Sequence, residues 1–299
     1  MRECIDYGFD SVKGANLILL PGTEAEQVEV REKFRIKGMF RLREGSYGWY
    51  DGTPVMEFEE IVTETSTMNR EEIFEFRMVH WLVVLLWNTG YARPLLSFGK
   101  SKGLNPIFVI KSVAEKQGGD YPRIRELFAK FWKDAKSEFF HDKDTAINYY
   151  EDKNNFESLL REGFSKLNFK YTAEFILDQR LTHDMFFYIR DLITAKVPLE
   201  SHERRILDEL VECCLKRIFF VKSQDREDYL EVYGSTLAFL DDSANNECRN
   251  MEVDVETGHY IYTSEDHHVE SNLEARHRES RTDKRYKIKF SPNQAAQSM

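Results

Sequence analysis

The side chains that could hold a metal or carry out redox chemistry include four cysteines, namely Cys4, Cys213, Cys214 and Cys248. Adjacent residues on a helix diverge by about 100°, so Cys213 and Cys214 cannot both face one ligand well. Cys214 also falls on the apolar stripe of a predicted helix, and free cysteine is among the most buried residue types. The pair therefore favours core packing over a redox or metal site.

The histidines are the second group of candidates. The sequence EDHHVE at residues 265–270 contains metal-ligand types. It lacks the fixed spacing of a coordination site and lies in a very polar stretch, so solvation is the favoured interpretation. His80 follows a long apolar face, which favours a hydrogen-bonded core histidine over a general base. His141-Asp142 and His183-Asp184 are neighbours in sequence, which does not place a carboxylate on the imidazole. We predict no catalytic residue and no metal ligand.

Composition restricts the class of protein. The chain has 299 residues, 41% of them hydrophobic, enough for a sizeable core in one large domain or two ordinary ones. Its net charge of −10 repels phosphate backbones, so no nucleic-acid partner is expected. The few cysteines do not indicate a disulfide framework. The apolar run from Trp81 to Trp87 is far shorter than the roughly 18 residues that span a bilayer. We expect a cytoplasmic protein that does not insert into membranes.

The N-terminal part of the sequence predicts a strand and a hairpin. Ala15 to Leu20 is a continuous apolar run that ends at Pro21-Gly22, a pattern typical of a strand buried on both faces of a parallel sheet. Met39 to Arg43 alternates in polarity, and a second extended run covers Pro54 to Thr65. The turn-rich connection between them, which includes Asp51-Gly52, predicts a β-hairpin.

Helix signals follow the same order. Thr23 is a predicted cap for a short helix to Phe34. Asn69 and Glu72 have the spacing of a capping box for a helix over residues 70–88, which Gly90 ends. From residue 105 to residue 221 the pattern is helical. Its clearest segment, residues 201–221, repeats apolar residues at helical spacing, namely Ile206, Leu207, Leu210, Val211, Cys214, Leu215 and Ile218.

The C-terminal part predicts a small sheet. Tyr229 to Tyr233 is strand-like. Met251 to Glu256 alternates acidic with apolar residues, and Arg285 to Phe290 alternates basic with apolar residues. Side-by-side pairing of these two segments would match acid with base and apolar with apolar. We therefore predict that they are neighbours in one sheet.

Three blocks between Tyr7 and about Arg77 resemble a known family. They are YGFDSVKGANLILLPGTE, FRLREGSYGWYDG and MEFEEIVTETSTMNREEIFEFR. In order and spacing they are similar to the C-terminal part of radical S-adenosylmethionine enzymes, especially the cobalamin-binding type. The resemblance implies that the PGTE turn follows the sixth strand of a partial (β/α) barrel, and that a hairpin, a T-x-T-M turn and a helix come next.

The resemblance also implies which residues face the cofactor. In that family the end of the sixth strand packs near the adenine of S-adenosylmethionine, so the implied cofactor-binding residues are Leu19, Leu20, Pro21 and Gly22. The alternative is a buried strand and a Pro-Gly turn that need no ligand. In that family the thiolates of a C-x3-C-x2-C motif hold a four-iron four-sulfur cluster. No two of the cysteines Cys4, Cys213, Cys214 and Cys248 have that spacing. We expect that the chain alone holds no cluster, S-adenosylmethionine or cobalamin.

The predicted architecture is α+β and has three segments. Residues 1–67 are an incomplete (β/α) barrel remnant with its hairpin, residues 68–223 are a helical region, and residues 224–299 are a small β element and polar tail. The resemblance implies that the chain supplies barrel wall and a substrate-side cap to an enzyme whose cluster lies on an upstream chain, and that it is inactive alone. The alternative is a non-catalytic helical interaction or scaffold protein derived from the same family.

Overall fold

A computed structural model describes residues 1–7, 9, 11–162, 167–218, 229–236, 239–240, 251–254 and 285–290. The chain is α+β, as predicted. It divides into two compact units, each built from separate stretches of sequence. The first unit contains Met1–Val12, Leu82–Ile124 and Ile176–Met299, and the second contains Lys13–Trp81 and Arg125–Phe175. The three predicted segments are each continuous in sequence, whereas each unit combines stretches from different parts of the chain.

The described residues form helices and strands in the following order. The helices are α1 (Arg2–Asp6), α2 (Val28–Phe34), α3 (Arg70–Val83), α4 (Arg93–Ser101), α5 (Pro106–Glu115), α6 (Pro122–Ser137), α7 (Lys143–Glu151), α8 (Lys153–Glu162), α9 (Leu167–Leu177), α10 (Gln179–Lys196) and α11 (Ser201–Ile218). The strands are β1 (Ile18–Leu19), β2 (Lys37–Tyr50), β3 (Thr53–Glu64), β4 (Tyr229–Tyr233), β5 (Met251–Asp254) and β6 (Arg285–Phe290). Across the described stretches, every helix is too short or too polar to span a lipid bilayer.

The second unit contains an antiparallel sheet of order β1-β3-β2. Its main part is the predicted hairpin, in which Asp51 (φ 48°) and Gly52 (φ 76°) form the two-residue turn. Two successive residues with positive φ are typical of a type I′ turn, whose twist matches that of the strands. The hairpin prediction is confirmed. Strand β2 is longer than expected because it continues past an irregularity between Leu42 and Tyr47, whereas β3 lies within one residue of the predicted bounds.

The prediction of a parallel strand buried on both faces over Ala15 to Leu20 is wrong. Only Ile18 and Leu19 form β1, and they pair antiparallel with β3. Leu19 is 4% exposed, whereas Leu17 and Leu20 are each 55% exposed. An apolar run shows that a strand can be buried, but the direction of its partner depends on residues more than forty positions away, which local pattern does not encode.

The predicted Thr23 cap is also wrong. The Thr23 hydroxyl donates to the Leu20 carbonyl (2.7 Å), and a short 3₁₀ helix over Glu24–Glu26 follows. Gln27 is extended (φ −61°, ψ 141°), so α2 begins only at Val28. The turn before Thr23 thus uses the hydroxyl that a helix cap would have needed.

Helix α3 begins as predicted. The Asn69 amide N–H donates to Glu72 Oε2 (2.8 Å), and the Glu72 N–H donates to Asn69 Oδ1 (3.0 Å), which is a complete capping box. The α-helix ends at Val83, a π turn covers Val84–Asn88, and Gly90 follows with φ 75°. In the second unit Trp81 stacks on Phe131 with ring centroids 4.8 Å apart.

In the first unit α4, α5, α10 and α11 pack together. The apolar stripe of α11 is buried from Ile206 to Cys214, as predicted, whereas Leu215 and Ile218 are only partly buried. Cys213 and Cys214 are both fully buried. The C-terminal sheet has the order β4-β6-β5. Strands β5 and β6 pair antiparallel, with Met251 opposite Phe290 and Glu252 opposite Lys289, so their predicted adjacency is confirmed. The sequence did not predict that β4 is the second neighbour of β6.

Candidate functional site

The segment that the resemblance implies as cofactor-binding is a tight turn at the end of β1. The Thr23 N–H donates to the Leu20 carbonyl (3.1 Å), which closes a four-residue turn. Pro21 occupies its second position and Gly22, with φ 83°, its third. Proline followed by a residue with positive φ is the pattern of a type II turn, so the sequence Leu20-Pro21-Gly22-Thr23 folds locally for backbone reasons alone.

Polar backbone groups of this turn are bonded within the chain. The Leu20 carbonyl accepts from both the Thr23 N–H and the Thr23 hydroxyl, and the Gly22 N–H donates to Glu26 Oε2 (2.6 Å). A Cβ on Gly22 would meet nothing within 4 Å, so the turn faces open space. With Leu20 55% exposed, the surface that the turn offers is mainly apolar, suited to contact with an aromatic ring or an apolar chain.

An ion pair lies directly after the turn. The Arg31 guanidinium on α2 donates two hydrogen bonds to the carboxylate of Glu60 on β3, each 2.7 Å long. The Arg31 side chain is 26% exposed and that of Glu60 is 16% exposed. The hydrogen bond to Glu60 raises the pKa of the Arg31 guanidinium. Arg31 Nε also donates to the Glu26 carbonyl (3.1 Å), so one side chain connects the turn segment to the sheet.

A second charged cluster involves the neighbouring residue Glu59, whose side chain leaves β3 on the opposite face from that of Glu60. Arg41 of β2 pairs with Glu59 at 2.6 Å, and it lies 3.8 Å from Glu138. Arg77 of α3 donates to Glu138 and to the Ala135 carbonyl. Burial lowers the pKa of the Arg77 guanidinium, and Glu138 acts against that effect. Because these charges compensate one another within the unit, we assign the cluster a structural role.

The sequence did not predict either cluster. The adjacent glutamates Glu59 and Glu60 were the available signal, because neighbouring strand residues point to opposite faces and a partly buried charge on each face needs a partner there. The alternation of Arg41 and Arg43 also matches Glu57 and Glu59 across the hairpin. Arg31, by contrast, gave no signal, since it lies 29 positions from Glu60.

His80 and the two aspartates that follow His141 and His183 each take part in a hydrogen bond or an ion pair within the chain. His80 Nε2 accepts the Gly14 N–H (2.9 Å), and burial lowers the pKa of the His80 imidazole. His80 is half-buried, so the predicted hydrogen bond is confirmed and a fully buried core position is not. The Asp142 carboxylate caps α7 by accepting the Thr145 N–H (2.7 Å), and Asp184 pairs with Arg123 (2.9 Å).

The described residues do not fit a four-iron four-sulfur cluster. Within the described stretches, no group of three histidine, cysteine or acidic residues is arranged to hold a metal ion. Of the described cysteines, Cys213 and Cys214 are buried and Cys4 is partly buried. Cys248 and the EDHHVE segment lie outside the described residues. For S-adenosylmethionine the fit is limited to apolar contact by Leu20 and Pro21, because the hydrogen-bonding groups of the turn described above already have partners.

Comparison with known proteins gives no match to any protein-family model and none to a curated protein.

Proposed function

We propose that this chain is the C-terminal portion of a radical S-adenosylmethionine enzyme of the cobalamin-binding type. In this proposal β1 and its turn form part of the wall of a (β/α) barrel, and the helical region at residues 68–223 contributes to a substrate-side cap. The cluster, S-adenosylmethionine and any cobalamin are held by a segment or chain encoded upstream, and the complete enzyme is cytoplasmic.

The observation that carries the proposal is the order of local structures between residues 18 and 83. A strand, a Pro-Gly turn, a hairpin, a threonine turn and a capped helix follow one another in the order that the resemblance implies, with the short helix α2 between the Pro-Gly turn and the hairpin. In the threonine turn, the Thr65 hydroxyl accepts the Met68 N–H (3.1 Å), and the Thr65 N–H donates to the Met68 carbonyl (2.8 Å). The T-x-T-M block therefore has its own conformation, which places Asn69 at the start of α3.

The exposed side of β1 supports a docked upstream element. Among the described strands β1 lies at the edge of its sheet, with Leu17 and Leu20 more than half exposed beside it. Exposed sheet edges next to apolar side chains are usually covered in folded proteins. In the proposal, the preceding barrel strands cover this edge.

The test uses the full chain together with the product encoded directly upstream. Both are reconstituted anaerobically with iron and sulfide, S-adenosylmethionine is added, and 5′-deoxyadenosine is measured. We expect 5′-deoxyadenosine from the pair and none from this chain alone. Leu20→Asp is expected to weaken co-purification, whereas Leu177→Asp, at a residue that is 83% exposed in the other unit, should leave it unchanged. Absence of a complex and of 5′-deoxyadenosine would contradict the proposal.

A scaffold function is the second candidate, and one observation favours it. Three titratable groups singled out from the sequence have structural partners: His80 is a half-buried hydrogen-bond acceptor, Asp142 is a helix cap, and Asp184 is in an ion pair. A protein that only binds a partner through apolar surface needs no reactive group. A stable complex that forms with the upstream product and lacks 5′-deoxyadenosine activity would support this candidate.

A further inference from the structure

One side chain of the first unit binds both polar groups of a distant backbone residue. Asn88 Oδ1 accepts the Val12 N–H (2.9 Å), and Asn88 Nδ2 donates to the Val12 carbonyl (3.0 Å). The two residues are 76 positions apart. A neighbouring β-strand would make the same two hydrogen bonds, one to the N–H and one to the carbonyl of a residue. Here the side-chain amide of Asn88 makes both.

The adjacent residue extends the same contact. Trp87 Nε1 donates to the Phe9 carbonyl (2.9 Å). The Phe9 side chain is 58% exposed, whereas Val12 is 6% exposed and Ile5 is fully buried. The first unit therefore binds the backbone carbonyl of Phe9 and both backbone polar groups of Val12. It also buries the side chains of Val12 and Ile5.

The contacts of α1 continue this pattern. The Asp6 carboxylate accepts a hydrogen bond from Asn105 Nδ2, and the Asp6 carbonyl accepts one from Lys100 Nζ (3.4 Å). The Arg2 guanidinium lies 5.5 Å from the centre of the Phe108 ring. We call residues 1–12 the strap. The hydrogen bonds that join its described residues to the rest of the first unit each use a side chain.

The π turn at the end of α3 holds the two recognition residues in place. A π turn changes the direction of side chains relative to a continuous α-helix, and such turns are frequent at functional sites. The Arg93 guanidinium donates to the Trp87 carbonyl (3.0 Å) and lies 5.2 Å from the centre of the Trp87 ring. We call Trp87 and Asn88 the edge. Arg93 contacts Trp87, and Asn88 follows Trp87 in the same π turn.

We infer that this edge is a peptide-binding site, that the chain occupies it with its own strap, and that the strap can be supplied in trans. The ligand class is a peptide that repeats the strap, with a short helix that carries the first apolar anchor and a non-helical segment that carries the second, spaced as Ile5 and Val12 are. Because side chains rather than a shared helix or sheet hold the strap, it can leave without breaking the backbone hydrogen bonds of α3, α4 or α5. This inference is independent of the proposed function.

Hydrogen exchange on the full chain tests the first part. Val12 lies outside any helix or strand, so protection of its amide reports the bond to Asn88. Asn88→Leu should make the Val12 amide exchange about tenfold faster or more, while amides in α10 keep their rates. Asn155→Leu, which removes another side-chain amide bonded to backbone, is the matched control and should leave Val12 unchanged. An unprotected Val12 in the wild-type chain, or equal acceleration in α10, would overturn the inference.

Peptide binding tests the second part. In the full chain, Val12→Pro removes the N–H that Asn88 accepts and so loosens the strap. A fluorescent peptide of residues 1–14 should bind this variant saturably, bind the wild-type chain more weakly because the tethered strap competes, and not bind Val12→Pro/Asn88→Leu. The same peptide with proline at position 12 is the control. Absence of binding to Val12→Pro, or loss of its helical circular dichroism, would show that the strap is an inseparable part of the unit.

Discussion

The carboxylate of Glu60 fits between the Arg31 guanidinium and the backbone of Gly38. A Cβ placed on Gly38 would lie 2.6 Å from Glu60 Cγ, closer than non-bonded carbon atoms approach. Gly38 is on β2 and Glu60 is on β3, so the missing side chain of Gly38 leaves the space in which Glu60 turns toward α2. The short helix after the Pro-Gly turn is therefore attached to the sheet by one ion pair that needs a glycine beside it.

Removing the charge of Glu60 should destabilise the second unit. Glu60→Gln keeps the size of the side chain but leaves Arg31 without its charged partner, which we expect to cost about 1–3 kcal/mol in the free energy of unfolding. Glu64→Gln is the control, because its partner Lys37 is 60% exposed and such pairs contribute about 0–1 kcal/mol. Urea unfolding of both variants measures the difference. Equal losses would show that the Arg31–Glu60 pair has no special weight.

A methyl group at Gly38 should have a similar cost for a steric reason. We expect Gly38→Ala to reduce the free energy of unfolding by about 1–3 kcal/mol, because Glu60 must give up its position beside Arg31. Gly48→Ala, on the same strand and with nothing within 4 Å, should be nearly neutral. The loss at Gly38 should be smaller in a chain that already carries Glu60→Ala, since the two residues are in contact. Additive losses would contradict this explanation.

The stability of the chain should depend on the protonation of His80. Burial holds the pKa of folded His80 below its usual 6.5, and Nε2 must be unprotonated to accept the Gly14 N–H. The unfolded chain therefore binds the proton first, so the stability that His80 contributes is present above about pH 6.5 and is lost as the pH falls toward the folded pKa.

Substitution of His80 checks this pH dependence. His80→Gln keeps an acceptor that does not titrate, so its urea midpoint should fall less than that of the wild-type chain between about pH 7.5 and about pH 5. His141→Gln, at an exposed position, should retain the wild-type dependence. Identical profiles for wild type and His80→Gln would mean that another group dominates the titration.

The register of the C-terminal sheet predicts which charges compensate each other. Glu252 on β5 is opposite Lys289, whereas Glu231 on β4 is opposite Lys287. Lys289→Glu should lower stability by roughly 0.2–1 kcal/mol per opposed pair, and Glu252→Lys in the same chain should recover part of the loss. Lys287→Glu should instead be compensated by Glu231→Lys. Thermal unfolding of these combinations measures the coupling, and recovery by the wrong partner would show a different register.

Features of the fold that depend on near neighbours could be predicted from the sequence. The Asn69–Glu72 capping box spans three residues, the Asp51-Gly52 turn spans two, and the stripe of α11 repeats within one helix. In each case the physical cause, a backbone group that needs a partner or a side chain that needs burial, lies within a few positions of the residues that satisfy it. The β5–β6 pairing could also be predicted, because the acidic residues of one strand and the basic residues of the other alternate with the same period.

Features that join distant residues are visible only in the folded chain. It made β1 an antiparallel edge strand, placed Arg31 on Glu60, and brought Asn88 to Val12. These contacts depend on the direction in which separate elements meet, and the residues involved are common types at ordinary positions in the sequence. The hydrophobic pattern states that Ile18 and Leu19 prefer burial, but it is equally satisfied by a parallel or an antiparallel neighbour, so only the folded chain settles the choice.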